Sequence, residues 1–442
     1  MVSSYPEGAP EDVDAAVVAA TTAFPGWASS SVAARTGALR ALADLVDANA
    51  EELARLATIE VGTPNRYARG TVSACSYILR NMAEHVEGLS LEEKMSGGVR
   101  VLLEPIGVAG AITPWNYPLY QSIVKLAPAL GAGCTVVLKP SEVAPTQVFR
   151  FVELVDQAGI LPPGVLNVIS GTGPVVGEAL ASHPDVAMIS LTGSTRAGAR
   201  VSELAAQTIK RLTLELGGKS PNVVLPDVED LQSVVTANVN ALASNAGQTC
   251  TALTRLIVPR SRLSEAEEAA RAAVATLAAG DPLEESTTIG PIVSKLQHQR
   301  VIEHIETAER ETARVVIGGS KAGSQERGYF VSPTVFSDVT REMSVAQNEV
   351  FGPVLAIMPY DGIEEAVELA NSTSFGLSGA AWGADPERAF EIARQIQSGM
   401  VHVNGAPGAY DMPFGGYKQS GNGRELGLAG LKEYYETKAV AV

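Results

Sequence analysis

The sequence predicts an α/β protein built on two parallel-sheet regions. Three observations lead there. From Val108 onward, short apolar runs rich in β-branched residues alternate with helical segments, the pattern of parallel strands covered on both faces. The alternation resumes at Asn222 with a second set of strands and helices. The chain has 442 residues, more than one simple core usually serves, so two or three domains are expected.

Pro10-Glu11-Asp12 opens the first helix, with proline in the first turn and acids at the positive end of the dipole. It runs through Ala15 to Phe24 and stops near Pro25-Gly26. A second helix spans Val32 to Val61, because Leu39, Leu42, Val46, Leu53 and Leu56 recur on one face, and Gly62-Thr63-Pro64 ends it. A third covers Ala68 to Val86. Between Gly88 and Pro105, Lys94-Met95-Ser96-Gly97-Gly98 reads as a turn joining two extended runs, a hairpin. The first sheet takes its strands from Val108–Ile112, Thr135–Leu138, Val165–Ile169, Met188–Leu191 and Arg211–Leu216. Helices at Leu119–Leu130, Thr146–Ala158, Val175–Ala181 and Arg196–Ala206 connect them. The second region offers strands at Asn222–Leu225, Leu256–Val258, Val315–Ile317, Val335–Phe336, Val354–Met358, Gly379–Trp382 and Met400–Asn404. Its helices are Leu231–Asn245, Arg262–Ala279, Lys295–Arg310, Ile363–Asn371 and Pro386–Ile396. A Gly-rich loop, Phe414 to Gly421, and a last strand, Lys438–Val442, close the chain.

Composition narrows the function. Hydrophobic residues make up 46% and charged residues 19%, as in a folded globular protein. The formal charge of −16 argues against nucleic acid and anionic membrane surfaces as partners, since both need clustered Lys and Arg. No apolar run reaches the length of a membrane span. Met1 to Ala9 has no basic or apolar region, so no secretory signal is expected. Three unpatterned cysteines, Cys75, Cys134 and Cys250, suggest a reducing, cytoplasmic setting. The histidines lack metal-ligand spacing, so no metal site is expected; His298 and His304 share a charge-rich helical stretch and read as solvated.

In parallel sheets, ligands bind beyond the carboxyl ends of the strands. The loops there hold the candidate chemistry. Cys250 follows a Gly247-Gln248-Thr249 turn, whose amides can face the sulfur and favour the thiolate nucleophile; the other reading is a third core cysteine beside Cys75 and Cys134. Glu215 ends a strand, where partial burial would raise its pKa and suit general-base work, unless it is a solvated strand end. The Asn116 amide could serve a developing oxyanion together with the Cys250 N–H, or Asn116 could be a turn residue before Tyr117-Pro118. Lys139 can hold a ribose hydroxyl, and Glu142 can accept both hydroxyls of an adenosine ribose. That carboxylate would repel a 2′-phosphate and favour NAD over NADP; the alternative is a surface ion pair. Gly193-Ser194 leads into a helix whose free N–H groups suit a pyrophosphate, or Ser194 is a plain N-cap. Gly171, Gly173 and Gly177 approximate a dinucleotide fingerprint at a different spacing. Glu349 precedes a strand as a loop cap or a second cofactor clamp.

Taken together, the motifs resemble the aldehyde dehydrogenase superfamily of the hydrolytic type. The match lies in their order: Pro114–Pro118 (PWNYP), Lys139–Glu142 (KPSE), Thr192–Ser194 (TGS), Glu215–Pro221 (ELGGKSP), Gly247–Cys250 (GQTC), Glu349–Val354 (EVFGPV) and Pro413–Gly421 (PFGGYKQSG), spread from Ala111 to Gly427. The resemblance implies a Rossmann-like cofactor domain (1–87 and 106–216), a second α/β catalytic domain (217–429), and a small β extension for oligomerisation (88–105 and 430–442). It implies Cys250 as nucleophile, Glu215 as general base and Asn116 as oxyanion donor, with NAD as cofactor. Cofactor contacts are implied at Ile112, Thr113, Pro114, Trp115, Lys139, Ser141, Glu142, Gly173, Gly177, Thr192, Gly193, Ser194, Leu216, Glu349 and Phe351. Substrate contacts are expected at Tyr117, Tyr120, Gln121, Val124, Thr249, Thr251, Tyr410, Met412 and Phe414. Such proteins are usually homodimers or homotetramers.

Glu215 favours hydrolytic release over transfer of the acyl group to coenzyme A, and retention of Cys250, Glu215 and Asn116 argues against a catalytically silent relative. One departure stands out: family members usually carry an N-terminal strand pair well before the first long helix, whereas here the sequence begins almost at that helix, which bears on stability and assembly. Val124 stands where many relatives carry a bulky aromatic residue, so a roomier tunnel is expected. No Arg or Lys is placed to bind a carboxylate or phosphate on the substrate, which favours a neutral, apolar or aromatic aldehyde.

Overall fold

The structure, a computed structural model, describes residues 3–320 and 328–442. The chain opens with four helices, α1 (Pro10–Ala28), α2 (Val32–Ala48), α3 (Ala50–Val61) and α4 (Asn65–Gly88). A hairpin follows, β1 (Glu92–Lys94) and β2 (Val99–Pro105). The first α/β region comprises β3 (Val108–Ile112), α5 (Pro118–Ala132), β4 (Thr135–Lys139), α6 (Thr146–Ala158), β5 (Leu166–Val168), α7 (Glu178–Ser182), β6 (Met188–Thr192), α8 (Thr195–Ala205) and β7 (Arg211–Glu215). The second comprises β8 (Pro221–Val224), α9 (Leu231–Ala243), β9 (Arg255–Pro259), α10 (Leu263–Ala275), α11 (Lys295–Arg310), β10 (Arg314–Ile317), β11 (Thr334–Ser337), α12 (Ser344–Gln347) and β12 (Val354–Tyr360). It continues through α13 (Ile363–Asn371), β13 (Phe375–Gly376), β14 (Ala380–Trp382), α14 (Pro386–Ala393) and β15 (His402–Val403). The tail holds β16 (Tyr417–Lys418), β17 (Gly421–Asn422), α15 (Gly427–Lys432) and β18 (Tyr435–Ala441).

The first sheet has the order β17-β7-β6-β3-β4-β5, with β3 to β7 parallel. From β3 the chain winds outward through β4 and β5, then returns to lay β6 and β7 on the other side. The reversal between β3 and β6 makes a crevice at their carboxyl ends, where Thr113 and Gly193 emerge. The second sheet has the order β10-β11-β12-β9-β8-β14-β15 and is parallel except for β10 against β11. A third sheet, β1-β2-β18, is antiparallel and runs from Tyr435 opposite Pro105 to Ala441 opposite Val99. The expected hairpin and final strand are therefore one sheet. Among the described residues no helix is long and apolar enough to cross a membrane.

Three local expectations are corrected. The predicted Val32–Val61 helix breaks at Asn49, whose side chain bonds the Leu45 carbonyl at 2.8 Å and whose backbone leaves the helical region. The apolar face continues across the break, so periodicity could not reveal it; the side-chain bond competes with the helix locally. The first helix does not stop at Pro25 but runs to Ala28, because Trp27 is buried and its indole donates to the Leu130 carbonyl at 3.2 Å. The predicted Val175–Ala181 helix is a wide turn at Gly173–Gly177 followed by α7. The Gly-rich tail also crosses to the first sheet, where β17 pairs Gly421 with Glu215. Gly421 has φ +130°, and a Cβ there would meet the Leu214 carbonyl oxygen at 1.8 Å, so only glycine allows this pairing.

Arg255, at the start of β9, is fully buried and has no carboxylate partner among the described residues. It donates to the carbonyls of Lys219 (2.9 Å), Leu369 (2.6 Å) and Ala370 (2.6 Å), joining the loop after Glu215 to the C-terminal end of α13. Arg255→Met keeps the volume but strands the buried carbonyls of Lys219 and Ala370, while that of Leu369 keeps the Ser372 hydroxyl at 2.8 Å. It is expected to cost about 3 kcal/mol or more of stability, read from urea unfolding. A loss under about 1 kcal/mol would mean that the carbonyls find other partners.

Candidate active site

Cys250 lies in the turn between α9 and β9. Gly247, at φ +73°, lets this turn pack against the loop after Glu349: a Cβ would stand 2.0 Å from the Gly352 carbonyl oxygen. A buried amide network holds the turn. Asn245 Nδ2 donates to the backbone oxygens of Asn116 (3.1 Å) and Gln248 (3.3 Å), and its Oδ1 accepts from Thr63 at 2.6 Å. Gln248 donates to the Asn245 carbonyl at 3.1 Å and accepts from Val293 N–H at 2.9 Å. Asn116 Nδ2 donates to the Gln248 carbonyl at 3.0 Å, which uses one of its two hydrogens and leaves the other. Tyr117 Oη and Thr249 Oγ1 lie 2.7 Å apart beside the sulfur.

Two cavities meet at Cys250. One, of 260 Å³, is walled by Pro114, Trp115, Asn116, Thr192, Gly193, Ser194, Leu216, Glu349 and Phe351. The other, of 360 Å³, is walled by Tyr117, Tyr120, Gln121, Thr249, Thr251, Tyr410 and Phe414. Only Asn116, Cys250 and their neighbours separate them. The first lies over the strand crevice between β3 and β6. Trp115 and Phe351 meet edge to face there, centroids 5.4 Å apart. Gly193 has no side chain to fill it, and Ser194 caps α8 by accepting from Ala197 N–H at 3.2 Å. The residues thus fit a dinucleotide: a helix start for phosphates, an aromatic wall, and a carboxylate at Glu349.

Further along the strand ends, Lys139 Nζ bonds Glu142 Oε2 at 2.8 Å. Burial opposes ionisation of Glu142, but the Lys139 bond and charge hold its carboxyl below the ordinary range. The ion pair of the alternative reading is therefore formed. Ser141 accepts from Val143 N–H at 3.2 Å, and Ile112 and Thr113 are buried at the end of β3. Gly173 and Gly177 lie in the wide turn before α7, away from the 260 Å³ cavity. Two expected substrate residues do not wall the second cavity. Val124 is buried in the helical core beneath α5, and Met412 stays in the loop before Phe414.

The electrostatics correct one expectation. The amides that lower the thiol pKa are those of Cys250 and Thr251 rather than those of the Gly247–Thr249 turn, and burial raises it more, with the charges of Glu349 and Glu215 adding to the rise. The free thiol is therefore held above its ordinary range. Alkylation of Cys250 by iodoacetamide should climb about tenfold per pH unit from 6 to 9 without a plateau, since the thiolate fraction grows at that rate below the pKa. Glu349→Gln removes one charge and should speed alkylation at pH 8; a plateau near neutrality would show a thiol already ionised. Glu349 itself is raised to about 7 by burial, with partial relief from the Gly218 N–H bond at 2.8 Å and from Lys219.

Glu215 is buried at the end of β7, and neither carboxylate oxygen has a hydrogen-bond partner among the described residues. Burial pushes its pKa well up and the Glu425 charge adds to this, while Lys125 and Arg424 offset part. Lys125 and Glu425 form a buried pair at 2.5 Å. The sequence reading missed this pair because 300 residues separate its members. It also missed Thr63, Tyr67, Gly70, Thr71 and Ala74 of α4 and its approach, and Ser244, all lining the second cavity. Gln297, Arg300 and His304 of α11 line the first. Their spacing on one helical face was the available signal. His304, read as solvated, instead borders this cavity; burial and Lys219 hold its pKa below the ordinary value.

Comparison with known proteins bears on the same features. The family model described as the aldehyde dehydrogenase family matches residues 1–440. A 3-succinoylsemialdehyde-pyridine dehydrogenase from a Pseudomonas species is 44% identical, over 98% of this chain and 91% of that protein. A Cys-to-Ala mutant of aldehyde dehydrogenase C from Pseudomonas syringae, solved with NAD+ and octanal, superposes with a TM-score of 0.96 at 45% identity, covering 98% of this chain and 90% of that one. Betaine aldehyde dehydrogenase from Staphylococcus aureus, solved with NAD+, gives a TM-score of 0.94 at 33% identity over 98% and 88% of the two chains.

Proposed function

The chain belongs to the aldehyde dehydrogenase family, and we propose that it oxidises an aldehyde to the carboxylic acid with NAD, using Cys250 as nucleophile, Asn116 as oxyanion donor and Glu215 as general base. The observation that carries this reading is the position of Cys250 at the junction of two cavities, one suited to a dinucleotide and one to a neutral substrate. Ser194 and the start of α8 would face the pyrophosphate, Lys139 and Glu142 the adenosine ribose, and Glu349 with Phe351 the nicotinamide half. Cys250 gives up its proton to solvent before attack. The thiolate attacks the carbonyl carbon and forms a thiohemiacetal. The spare Asn116 hydrogen and the Cys250 N–H stabilise its oxyanion. When bound, NAD supplies the hydride acceptor that lets this adduct become a thioester. Glu215 then takes a proton from water, which attacks the thioester and releases the acid. Glu142 favours NAD over NADP by repelling a 2′-phosphate.

The three free cysteines favour a reducing, cytoplasmic setting. The outer edge of β18 is exposed and unpaired among the described residues, which suits strand addition between copies in a homodimer or homotetramer. A monomer mass by light scattering would remove that assignment. Within the domain division read from the sequence, β17 of the tail pairs with β7 of the first sheet, so the 217–429 region contributes an edge strand to that sheet. The function is tested by NADH formation over a panel of aldehydes with NAD and NADP. Turnover with NADP alone, or only when coenzyme A is added, would sink it.

A further inference from the structure

The 360 Å³ cavity has a property that the chemistry at Cys250 does not require: its walls carry no charge apart from that thiol. We infer that this tunnel takes an uncharged aldehyde with a planar aromatic tail, and that Gly70 sets the width it accepts. The inference rests on the reading of Cys250 as the reacting group. A cavity of 360 Å³ is more than twice the roughly 150 Å³ that holds a benzene ring, so a ring and its carbonyl arm both fit. The rings of Tyr67, Tyr117, Tyr120, Tyr410 and Phe414 face it, and aromatic pairs gain more than their buried area. Burial pushes the Tyr117 hydroxyl up to about 12 and the Tyr120 hydroxyl higher still, so both stay neutral at working pH. A carboxylate or ammonium tail would lose its water and gain no counter-charge.

The width comes from small residues. Gly70 and Ala74 stand one turn apart on α4, and Ser244 turns its hydroxyl back onto the Ala241 carbonyl at 2.8 Å. A glycine inside a helix is unfavourable relative to alanine, so it asks for a reason in packing or in function. Packing does not supply one here: a Cβ at Gly70 would meet nothing within 4 Å. Gly70 is exposed where it lines the cavity, so a larger side chain there would stand at the cavity's mouth. Gly37 on α2 is equally open but lies on no cavity wall, and so serves as a control.

The test compares kcat/KM of the full chain for phenylacetaldehyde, propanal, succinic semialdehyde and trimethylammonioacetaldehyde. The parent should prefer phenylacetaldehyde to both charged probes by about tenfold or more. Gly70→Leu should cut kcat/KM for phenylacetaldehyde by about tenfold or more, mainly through KM, and leave propanal within about twofold. Gly37→Leu should move neither. Gly70→Ala, better suited to a helix, should keep or raise Tm and show a smaller shift of the same sign, which separates narrowing from misfolding. A parent that favours a charged aldehyde overturns the inference, as does a Gly70→Leu loss equal for long and short aldehydes. If the parent oxidises none of the four, the assignment of Cys250 chemistry is what fails. Calorimetry of phenylacetaldehyde on Cys250→Ala then decides the tunnel: binding weakened by Gly70→Leu supports it, and no binding, or binding indifferent to that change, ends it.

Discussion

Cys250→Ala should lower aldehyde oxidation by at least about 10⁴-fold while leaving dinucleotide affinity nearly unchanged. The size follows from the absence of any substitute. Cys75 and Cys134 are fully buried in the helical core and wall neither cavity, so neither can take over the attack. Asn116 and Glu215 remain in the variant, but an oxyanion donor and a base have nothing to act on without a covalent adduct. The retained affinity follows from the position of the residue. Cys250 touches only the inner end of the 260 Å³ cavity, whereas Ser194, Trp115, Glu349 and Phe351 form its walls. Fluorescence titration with NAD and NADH formation with a short aldehyde read the two properties separately. Residual turnover above background would move the nucleophile elsewhere. A parallel loss of NAD affinity would mean that the turn itself had collapsed, which the buried network of Asn245 and Gln248 opposes, because none of its bonds uses the sulfur.

What the sequence made legible was local. Each strand of the first sheet announces itself as an apolar run, and each following loop carries its polar residues within a few positions, so Asn116, Glu142, Ser194 and Glu215 could be located by reading forward from a strand end. Groups brought in from distant elements were not legible. Glu425 reaches Glu215 and Lys125 because the tail crosses to the first sheet, and no pattern near Glu425 signals that crossing. The same limit explains the thiol. The Gly247–Thr249 turn was visible in the sequence, but the amides that act on the sulfur are those of Cys250 and Thr251, and the burial that outweighs them, with Glu349 and Glu215, arises only in the fold. Helix faces were ambiguous as well. Val124 and Tyr120 lie one turn apart on α5, yet Tyr120 walls the tunnel while Val124 packs inward. The roomier tunnel inferred from Val124 therefore has its structural basis elsewhere, in Gly70, Ala74 and Ser244.

Glu215→Gln should separate the two halves of the reaction. The variant is expected to form NADH once per site and then stall, with steady-state turnover lower by about 10²–10⁴-fold. Glutamine fills the same buried space at the end of β7 and cannot accept the proton of the attacking water, so the thioester on Cys250 outlives its formation. Mass spectrometry of the stalled protein should find the acyl group on Cys250. The pH dependence of the parent has a definite sign. Burial and the Glu425 charge raise the Glu215 pKa, so the base is increasingly protonated as pH falls, and steady-state turnover should drop on the acid side. Glu425→Gln removes the charge that raises Glu215 and leaves Lys125 without its partner. Both changes lower the Glu215 pKa, so the acid limb should move to lower pH, even if folding stability suffers from the unpaired lysine. A Glu215→Gln variant that loses its first-turnover NADH as completely as its steady state would place Glu215 before hydride loss, as the base that takes the Cys250 proton, rather than at hydrolysis. The difference is measurable in one stopped-flow trace, because the two roles act on opposite sides of the step that produces NADH.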